Sequence, residues 1–371
     1  MSARPGPRGP LSEAVLGLVT AGPPGAGRLL APPGPLTDPW GEDHQLALHL
    51  CYELHDRGLP GVHPGWEWDP ELLALRRALE RSFLAAVRAA AEPVPPLPEA
   101  LERLLVVPPD GAGPSYFLLA EGERRHAREY LVHRSVYHLK EADPQLWVLP
   151  RIHGPAQAVL MAVAYDEYGA GRPERAHALL FARMMAAFGL DPGYGHYLDL
   201  VPAPSLAVVN LMTLFGLHRA LRGAAVGQFA TIEITSSPGA ARLAAALERL
   251  GGGPDGTLFY REHVEADAVH EQLVRRGVIE ELVDAEPELK SDIAFGIAAA
   301  ELLDARFADH LLGRWRTGRT SLRSPLPDDV LPGGVLPDDV LPGGVLPDDV
   351  LPGGVLPDGV PPGGVRPHGP D

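Results

Sequence analysis

The sequence has a single cysteine and no long apolar run, and each shortage excludes a class of protein. Cys51 stands alone among 371 residues, which excludes an internal disulfide framework and any zinc or iron-sulfur site built from cysteines. This composition is typical of a protein in a reducing cytoplasm. No apolar stretch reaches the roughly 18 residues that a membrane span requires. The short apolar run near the N-terminus is also too brief for a secretory signal, so we expect a soluble cytoplasmic protein.

Basic residues are also in short supply. The chain has 32 Lys and Arg against 48 Asp and Glu, a formal net charge of -16. No basic stripe of the kind that follows a phosphate backbone occurs, so nucleic acid is not an expected partner. A hydrophobic fraction of 45% is enough for a substantial buried core. We therefore expect a chain that is folded over most of its length.

The two ends of the chain differ in composition from its middle. Residues 1–41 are rich in Gly, Pro and Ala without lasting periodicity, which predicts a poorly ordered leader. The unit LPDDVLPGGV occurs three times in tandem over residues 326–355. Its prolines block helix formation and its glycine pairs add chain entropy. We therefore predict a disordered repeat tail over 321–371 and one folded domain over 42–320.

Between these ends, apolar residues recur at the spacing of an α-helix. The segment DPELLALRRALERSFLAAVRAAAE opens with an Asp-Pro cap signal and then repeats leucine, phenylalanine and valine at intervals of three and four. Similar segments follow, each opened or ended by Gly or Pro. ATIEITSS and LWVLP are strand-like, but each is too short and isolated to build a sheet. The pattern predicts an all-α bundle of roughly seven to nine helices.

The stretch YREHVEADAVHEQ places His263, Asp267 and His270 in the register H-x-x-x-D-x-x-H. At about 100° per residue, the three side chains fall within roughly a 60° arc of one helix face, so they could converge on one point. With 15 histidines in the chain, two at this spacing around an acid should arise by chance well under once. Two imidazoles and a carboxylate suit iron or manganese at least as well as zinc.

Further acidic and imidazole side chains lie near helix ends in the preceding segments. Asp166 and Glu167 end one predicted helix, and His177 lies in the first turns of the next, after the break YGAGRP. On one straight helix Glu167 and His177 would be about 15 Å apart, too far to share a centre. The Gly and Pro residues of the break allow the chain to reverse there, which brings the two side chains together. Glu141 ends an earlier predicted helix, just before an Asp-Pro stop.

The order Glu, then Glu-x9-His, then His-x3-Asp-x2-His resembles the ligand set of the heme-oxygenase-like diiron oxidases and oxygenases, also called iron-containing redox enzymes. The resemblance covers roughly residues 45–318 and implies a heme-oxygenase-like helical bundle. It implies six metal ligands: Glu141, Glu167, His177, His263, Asp267 and His270. Asp166 and Glu233 are outer partners or reserve ligands in this interpretation, and no catalytic residue beyond the ligands is identified.

Such a ligand set implies two non-heme iron ions with O2 as co-substrate, because two ferrous ions can together supply electrons to O2. The resemblance implies oxidation of a small organic molecule by hydroxylation, desaturation or C–C cleavage. Leu160, Phe181 and Phe259, a turn from the ligands, are candidates for the substrate pocket. The electron donor is not identified by the sequence, and a homodimer is left open.

Other interpretations of the same residues remain open. A ferritin-like carboxylate bundle carries two Glu-x-x-His pairs, and Glu123 with His126 and Glu174 with His177 match that pattern. Heme held by one of the N-terminal histidines is another alternative. A non-catalytic helical binding or regulatory protein needs no metal. Three carboxylates and three histidines gathered in a core without a metal would, however, leave costly buried charge.

Overall fold

The computed structural model describes residues 4–25, 38–108 and 111–327, and these ranges contain helices and turns but no strand. The α-helices are α1 (Pro10–Thr20), α2 (Glu42–Glu53), α3 (Pro70–Ala91), α4 (Leu97–Leu104), α5 (Pro114–Ala120), α6 (Arg124–His138), α7 (Asp143–Leu146), α8 (Gly154–Glu167), α9 (His177–Ala187), α10 (Ala203–Leu217), α11 (Arg222–Arg249), α12 (Asp255–Gln272), α13 (Glu281–Ala285) and α14 (Lys290–Trp315). The all-α prediction is confirmed, although the chain divides into more helices than expected. No helix within these ranges is long and apolar enough to cross a membrane.

Helix α11 lies at the centre of the bundle, with its most extensive contacts to α12 and α14. The crossing of α11 and α14 is so close that only glycine fits at two positions. A Cβ on Gly227 would lie 2.0 Å from the carbonyl oxygen of Ile293, and one on Gly296 would lie 2.1 Å from that of Ala224. Because the two backbones touch there, α11 is held rigidly where it carries Glu233.

Helix α12 continues into a π-helical segment, Leu273–Glu280, before α13 begins. This segment packs against α8, where a Cβ on Gly277 would lie 2.8 Å from Cγ1 of Val159. The close contact brings the C-terminal end of α8 beside the buried face of α12. π-Helical turns within longer helices are frequent near functional sites.

Part of the predicted leader is folded. Helix α1 packs on α2 and buries Val15 and Val19, which are 0% and 1% exposed. The Ser12 hydroxyl donates to Asp43 Oδ1 at 2.6 Å, and this contact joins the two helices. The described part of the expected leader thus contains a helix, α1, because PLSEAVLGLVT has helical spacing that the surrounding Gly and Pro obscured. Residues 1–3 and 26–37 lie outside the described residues.

The packed domain also continues beyond its expected end at residue 320. Ser321 and Leu322 are buried. The Glu129 carboxylate accepts hydrogen bonds from the backbone nitrogen and hydroxyl of Ser321, at 2.8 and 2.6 Å, and from Trp315 Nε1 at 2.8 Å. The start of the predicted tail is thus part of the core, and residues 328–371 lie outside the described residues.

The two strand-like segments do not form strands. ATIEITSS, residues 230–237, lies within α11, and LWVLP, residues 146–150, runs from the last residue of α7 through a turn into a 3₁₀-helix, Leu149–Arg151. In α11 the hydroxyls of Thr231 and Thr235 donate to carbonyl oxygens four residues earlier, at 3.0 and 2.7 Å. Burial of this helix on two neighbours therefore overrides the β-propensity of its threonines and isoleucines.

Candidate metal centre

Helix α12 presents His263, Asp267 and His270 on its buried face, where they are 8%, 2% and 0% exposed. Asp267 Oδ1 lies 3.5 Å from His270 Nδ1, whereas His263 belongs to a different group of candidate ligands, so the three side chains share one face but do not meet at one point. Ser236 of α11 donates its hydroxyl hydrogen to Asp267 Oδ2 at 2.5 Å. This contact orients the carboxylate toward the space between α11 and α12.

The chain reverses between α8 and α9, as the Gly and Pro residues of this break predicted. Glu167 is the last residue of α8 and His177 the first of α9, and His177 Nδ1 lies 2.8 Å from Glu167 Oε2. The turn requires glycine at position 169, where φ is 81° and a Cβ would lie 2.3 Å from the carbonyl oxygen of Arg172. Two side chains ten residues apart therefore meet in the core.

Glu141 lies in the turn after α6, three residues beyond the helix end at His138, rather than on the helix itself. His138 Nδ1 is 3.1 Å from Glu141 Oε2, and His263 Nε2 is 3.8 Å from Oε1. Burial opposes ionisation of Glu141, but His138 and His263 hold its pKa well below the usual value. His138 was not among the residues expected at the site, although its i,i+3 spacing to Glu141 could have indicated it.

The candidate ligands form two groups that share Glu167. Within each group, one ligating atom per residue lies within 4.8 Å of the others. The first group is Glu141, Glu167, His177 and His263; the second is Glu167, Glu233, Asp267 and His270. All seven residues are buried. The structure thus brings all six expected ligands together and adds Glu233.

Glu233 occupies the second group rather than an outer position. Its Oε2 atom lies 3.0 Å from His270 Nδ1. Burial raises the pKa of Glu233 to about 8, and the nearby Glu167 and Asp267 carboxylates add to the rise, while the hydrogen bond to His270 opposes it. Several carboxylates crowded into a buried space are costly unless a cation neutralises them. The sequence named Glu233 only as an outer partner or reserve ligand, because its strand-like surroundings did not show that it faces α12.

The histidine rings of α12 each direct one nitrogen into a group. His263 Nδ1 lies 2.7 Å from the Phe259 carbonyl oxygen, which makes Nδ1 the donor. Nε2 of His263 is then buried without a hydrogen-bond partner among the described residues. His270 Nε2 lies 3.2 Å from Asp166 Oδ2, which leaves Nδ1 to face Glu233 and Glu167. Contacts of this kind hold imidazoles that bind metals, so the expected outer position of Asp166 agrees with its geometry.

The donor set fits iron. Four carboxylates and three imidazoles are hard and borderline ligands, which suit ferrous iron. Nε2 of His263 has no hydrogen-bond partner among the described residues, so in the neutral imidazole its lone pair would be available to a metal ion. Burial alone would lower the pKa of His263, but Glu141, Asp267 and Glu167 raise it to about 10, a measure of the negative charge gathered around it.

A cavity of about 470 Å³ borders the first group. His138, Glu141 and His263 form part of its wall, and apolar side chains of α10, α11 and α14 form much of the rest. Of the pocket residues expected from the sequence, Phe259 lines the cavity. Phe181 packs against the Phe259 ring, with the two ring centroids 5.2 Å apart. Leu160 is buried outside the cavity wall. The volume suits a small organic molecule.

The Glu-x-x-His pairs of a ferritin-like site are not assembled. Glu123 is exposed at the start of α6, where its backbone nitrogen donates to His126 Nδ1 at 3.0 Å as a helix cap. Glu174 is also exposed, and His177 contacts Glu167 instead. Neither pair contributes a carboxylate to the two buried groups.

Comparison with known proteins agrees with this geometry. Residues 128–305 match the family of iron-containing redox enzymes, and this range holds every residue of the two groups. A nitrosourea synthase from Streptomyces achromogenes subsp. streptozoticus is 28% identical over 222 residues, which cover 58% of this chain and 46% of the relative. The match thus spans about half the length of that relative. Both findings support an iron oxidoreductase, and residues 128–305 of the helical domain are similar to the iron-containing redox enzyme family.

Proposed function

We propose that the protein is a non-heme diiron oxidase or oxygenase that uses O2 to oxidise a small organic molecule. The observation that carries this proposal is the position of Glu167 between the two groups. Its Oε2 atom faces His177 at 2.8 Å, and its Oε1 atom faces His270 at 3.8 Å. One carboxylate therefore offers an oxygen to each group, as a residue bridging two metal ions would.

The charges of the two groups support two divalent ions. Glu141, Glu167, Glu233 and Asp267 carry four negative charges when ionised, which equals the positive charge of two ferrous ions. When bound, the iron ions would supply the electrons and open coordination positions that O2 reduction needs. The protein's part is to keep the seven side chains dry and oriented, through contacts such as Ser236 to Asp267 and the Phe259 carbonyl to His263.

The substrate would occupy the cavity beside Glu141 and His263, next to the first group. Its mostly apolar wall favours a small organic molecule over a charged polymer. The reaction class is hydroxylation at carbon or nitrogen, desaturation or oxidative C–C cleavage. The name of the relative, nitrosourea synthase, supports keeping oxidation at nitrogen in this group. An external electron donor completes the proposed reaction.

Anaerobic titration of the metal-free full chain with Fe(II) tests the metal content directly. We expect about two irons per chain, followed by O2 consumption and a transient visible absorption band on rapid mixing with O2. One iron per chain would contradict the shared-carboxylate site. No iron uptake would leave the helical binding protein as the better interpretation.

Variants at Glu167 separate ligand loss from general damage. Glu167→Gln should lower the iron content and abolish O2 consumption, because it weakens both groups at once. Glu174→Gln is the matched control, because Glu174 is exposed in the same connection between α8 and α9, and this variant should keep its iron content and its O2 consumption. His263→Ala and His270→Ala should each reduce iron binding while far-UV circular dichroism shows the helices intact. Unchanged iron binding in all three ligand variants would disprove the assignment.

A further inference from the structure

We infer that Arg134 holds a carboxylate group of the substrate, so that the substrate class is an organic monoanion with an apolar body. The inference rests on the proposed function, because it places the substrate beside the same metal centre. Arg134, His138 and Glu141 all line the cavity. Their offsets of four and seven put them on one side of α6 and its following turn.

The guanidinium group of Arg134 has one hydrogen bond and one acidic neighbour within the described residues. Its Nε donates to the Tyr130 hydroxyl at 3.3 Å, and Asp304 is near enough for Arg134 to lower the pKa of that carboxyl against the larger effect of burial. No direct hydrogen bond or ion pair joins Arg134 to Asp304, so the terminal N–H groups of Arg134 have no hydrogen-bond partner among the described residues. The group lies 4.6 Å from the centroid of the Phe307 ring and 5.5 Å from that of Tyr130. The two rings hold the guanidinium plane while its terminal N–H groups remain available.

A second unpaired donor lies in the same cavity wall. The Tyr260 hydroxyl is buried and has no hydrogen-bond partner among the described residues. Burial raises the pKa of Tyr260 well above its usual value, and Tyr130 and Arg134 are near enough to shift it further, upward and downward respectively. Buried hydroxyls are rarely left without a partner. A ligand that accepts hydrogen bonds would satisfy both Tyr260 and Arg134.

A carboxylate is the acceptor that matches this pair. The planar fork of a guanidinium binds a carboxylate through two parallel hydrogen bonds. Asp304 lines the same wall and already offsets part of the positive charge of Arg134, so a monoanion is favoured over a dianion such as a phosphate monoester. Val208, Leu211 and Met212 also line the cavity, so the remainder of the ligand is apolar.

Three isosteric probes test the proposal by binding rather than by turnover. The full chain is titrated by calorimetry with 4-phenylbutyrate, 4-phenylbutanol and 4-phenylbutylamine, first metal-free and then after anaerobic Fe(II) loading. We expect the acid to bind roughly ten-fold or more tightly than the alcohol or the amine, in both metal states. Equal binding of acid and alcohol, tighter binding of the amine, or no binding of the acid would each overturn the inference.

Arg134→Met should weaken binding of 4-phenylbutyrate by roughly ten-fold or more and leave binding of the alcohol unchanged. Arg124→Met is the matched control, since Arg124 is on the same helix and also packs on an aromatic ring, 4.7 Å from the centroid of Phe188, but does not line the cavity. Undiminished binding of the acid to Arg134→Met would refute the assignment.

Two points keep this test independent of folding and of iron. Arg134→Lys keeps the charge but loses the planar fork, so its affinity for the acid should lie between those of wild type and Arg134→Met. If Arg134→Met does not fold, binding of the acid to Arg134→Lys and of the three probes to wild type still tests whether Arg134 binds a carboxylate. Failure of the diiron proposal would appear as absent iron uptake, whereas the metal-free titrations test Arg134 alone.

Discussion

A buried lysine next to Glu141 provides a sharp test of how the fold tolerates charge. Lys140 Nζ lies 2.5 Å from Glu53 Oε1 and 2.6 Å from Asp56 Oδ2, and the three side chains are 1%, 4% and 2% exposed. Glu53 also accepts a hydrogen bond from the Tyr194 hydroxyl at 2.7 Å. Burial alone would raise the pKa of Glu53, but Lys140 and His49 outweigh it and lower that pKa. The cation thus keeps a buried carboxylate ionised.

Replacing Lys140 with Met keeps most of the side-chain volume and removes the charge. Glu53 and Asp56 are then buried without a counter-ion, a change that costs roughly 3–5 kcal/mol when one partner of a buried pair is lost. For a domain of this size each kcal/mol lowers the melting temperature by roughly 2–4 °C, so we expect a decrease of about 6–20 °C. The unpaired carboxylates would bind protons more readily in the folded than in the unfolded state. The difference in the free energy of unfolding between wild type and Lys140→Met should therefore decrease as the pH falls from neutral toward 5.

Urea unfolding of the metal-free protein, followed by far-UV circular dichroism, measures this free energy. Lys290→Met is the matched control, because Lys290 is exposed at the start of α14. The variant Glu53→Gln, Asp56→Asn, Lys140→Met should recover much of the loss, since no buried charge then remains unpaired. A loss below about 1 kcal/mol for Lys140→Met, the range of exposed ion pairs, would show that the reasoning about burial is wrong.

Three further predictions concern other parts of the molecule. Burial lowers the pKa of His49 to about 4 against the opposing effect of Glu53. As the pH falls, His49 therefore takes up a proton in the unfolded chain before it does so in the folded protein. The free energy of unfolding should decrease by roughly 3 kcal/mol between pH 6.5 and 4, but should not change from this cause above pH 6.5. Denaturant titrations of metal-free wild type and His49→Asn at several pH values check this, and the free energy of unfolding of His49→Asn should change less with pH. Gly227→Ala should lower the free energy of unfolding by roughly 1–3 kcal/mol, because the added methyl group forces α11 and α14 apart. Gly313→Ala should not be destabilised, because a Cβ at Gly313 would contact no atom within 4 Å. Thermal unfolding of the two variants measures the difference. Fe(II) should raise the melting temperature of wild type in a concentration-dependent way but have much less effect on Glu167→Gln, and an equal increase in both would contradict the ligand groups.

The parts of the site that sequence reasoning predicted are those set by local geometry. The face shared by His263, Asp267 and His270 follows from the helical period, and the reversal between Glu167 and His177 follows from the Gly and Pro residues between them. Neither inference needs the position of another helix. The all-α class likewise follows from apolar periodicity within single segments.

The parts that were missed depend on helices that meet only in the folded protein. Glu233 joins the second group because the Gly227 contact fixes α11 against α14, and no local pattern around residue 233 shows this. Ser321 is held by Glu129, 192 residues earlier in the chain. In the same way, Lys140 pairs with Glu53 across 87 residues. Such pairs leave no periodic signal in one sequence, so tertiary packing alone decides them.

The adjacent residues Lys140 and Glu141 show how one turn serves two buried sites of opposite character. Lys140 pairs with both Glu53 and Asp56 on one side of the turn, so its positive charge offsets part of the negative charge of that network. Glu141 lies on the other side of the turn, where the ion-pair partners of the four carboxylates among the described residues are the histidines His138, His177, His263 and His270. The chain therefore places a lysine beside one buried acidic cluster and imidazoles beside the other. That contrast in charge, rather than burial itself, is the reason to expect an external cation at the second cluster.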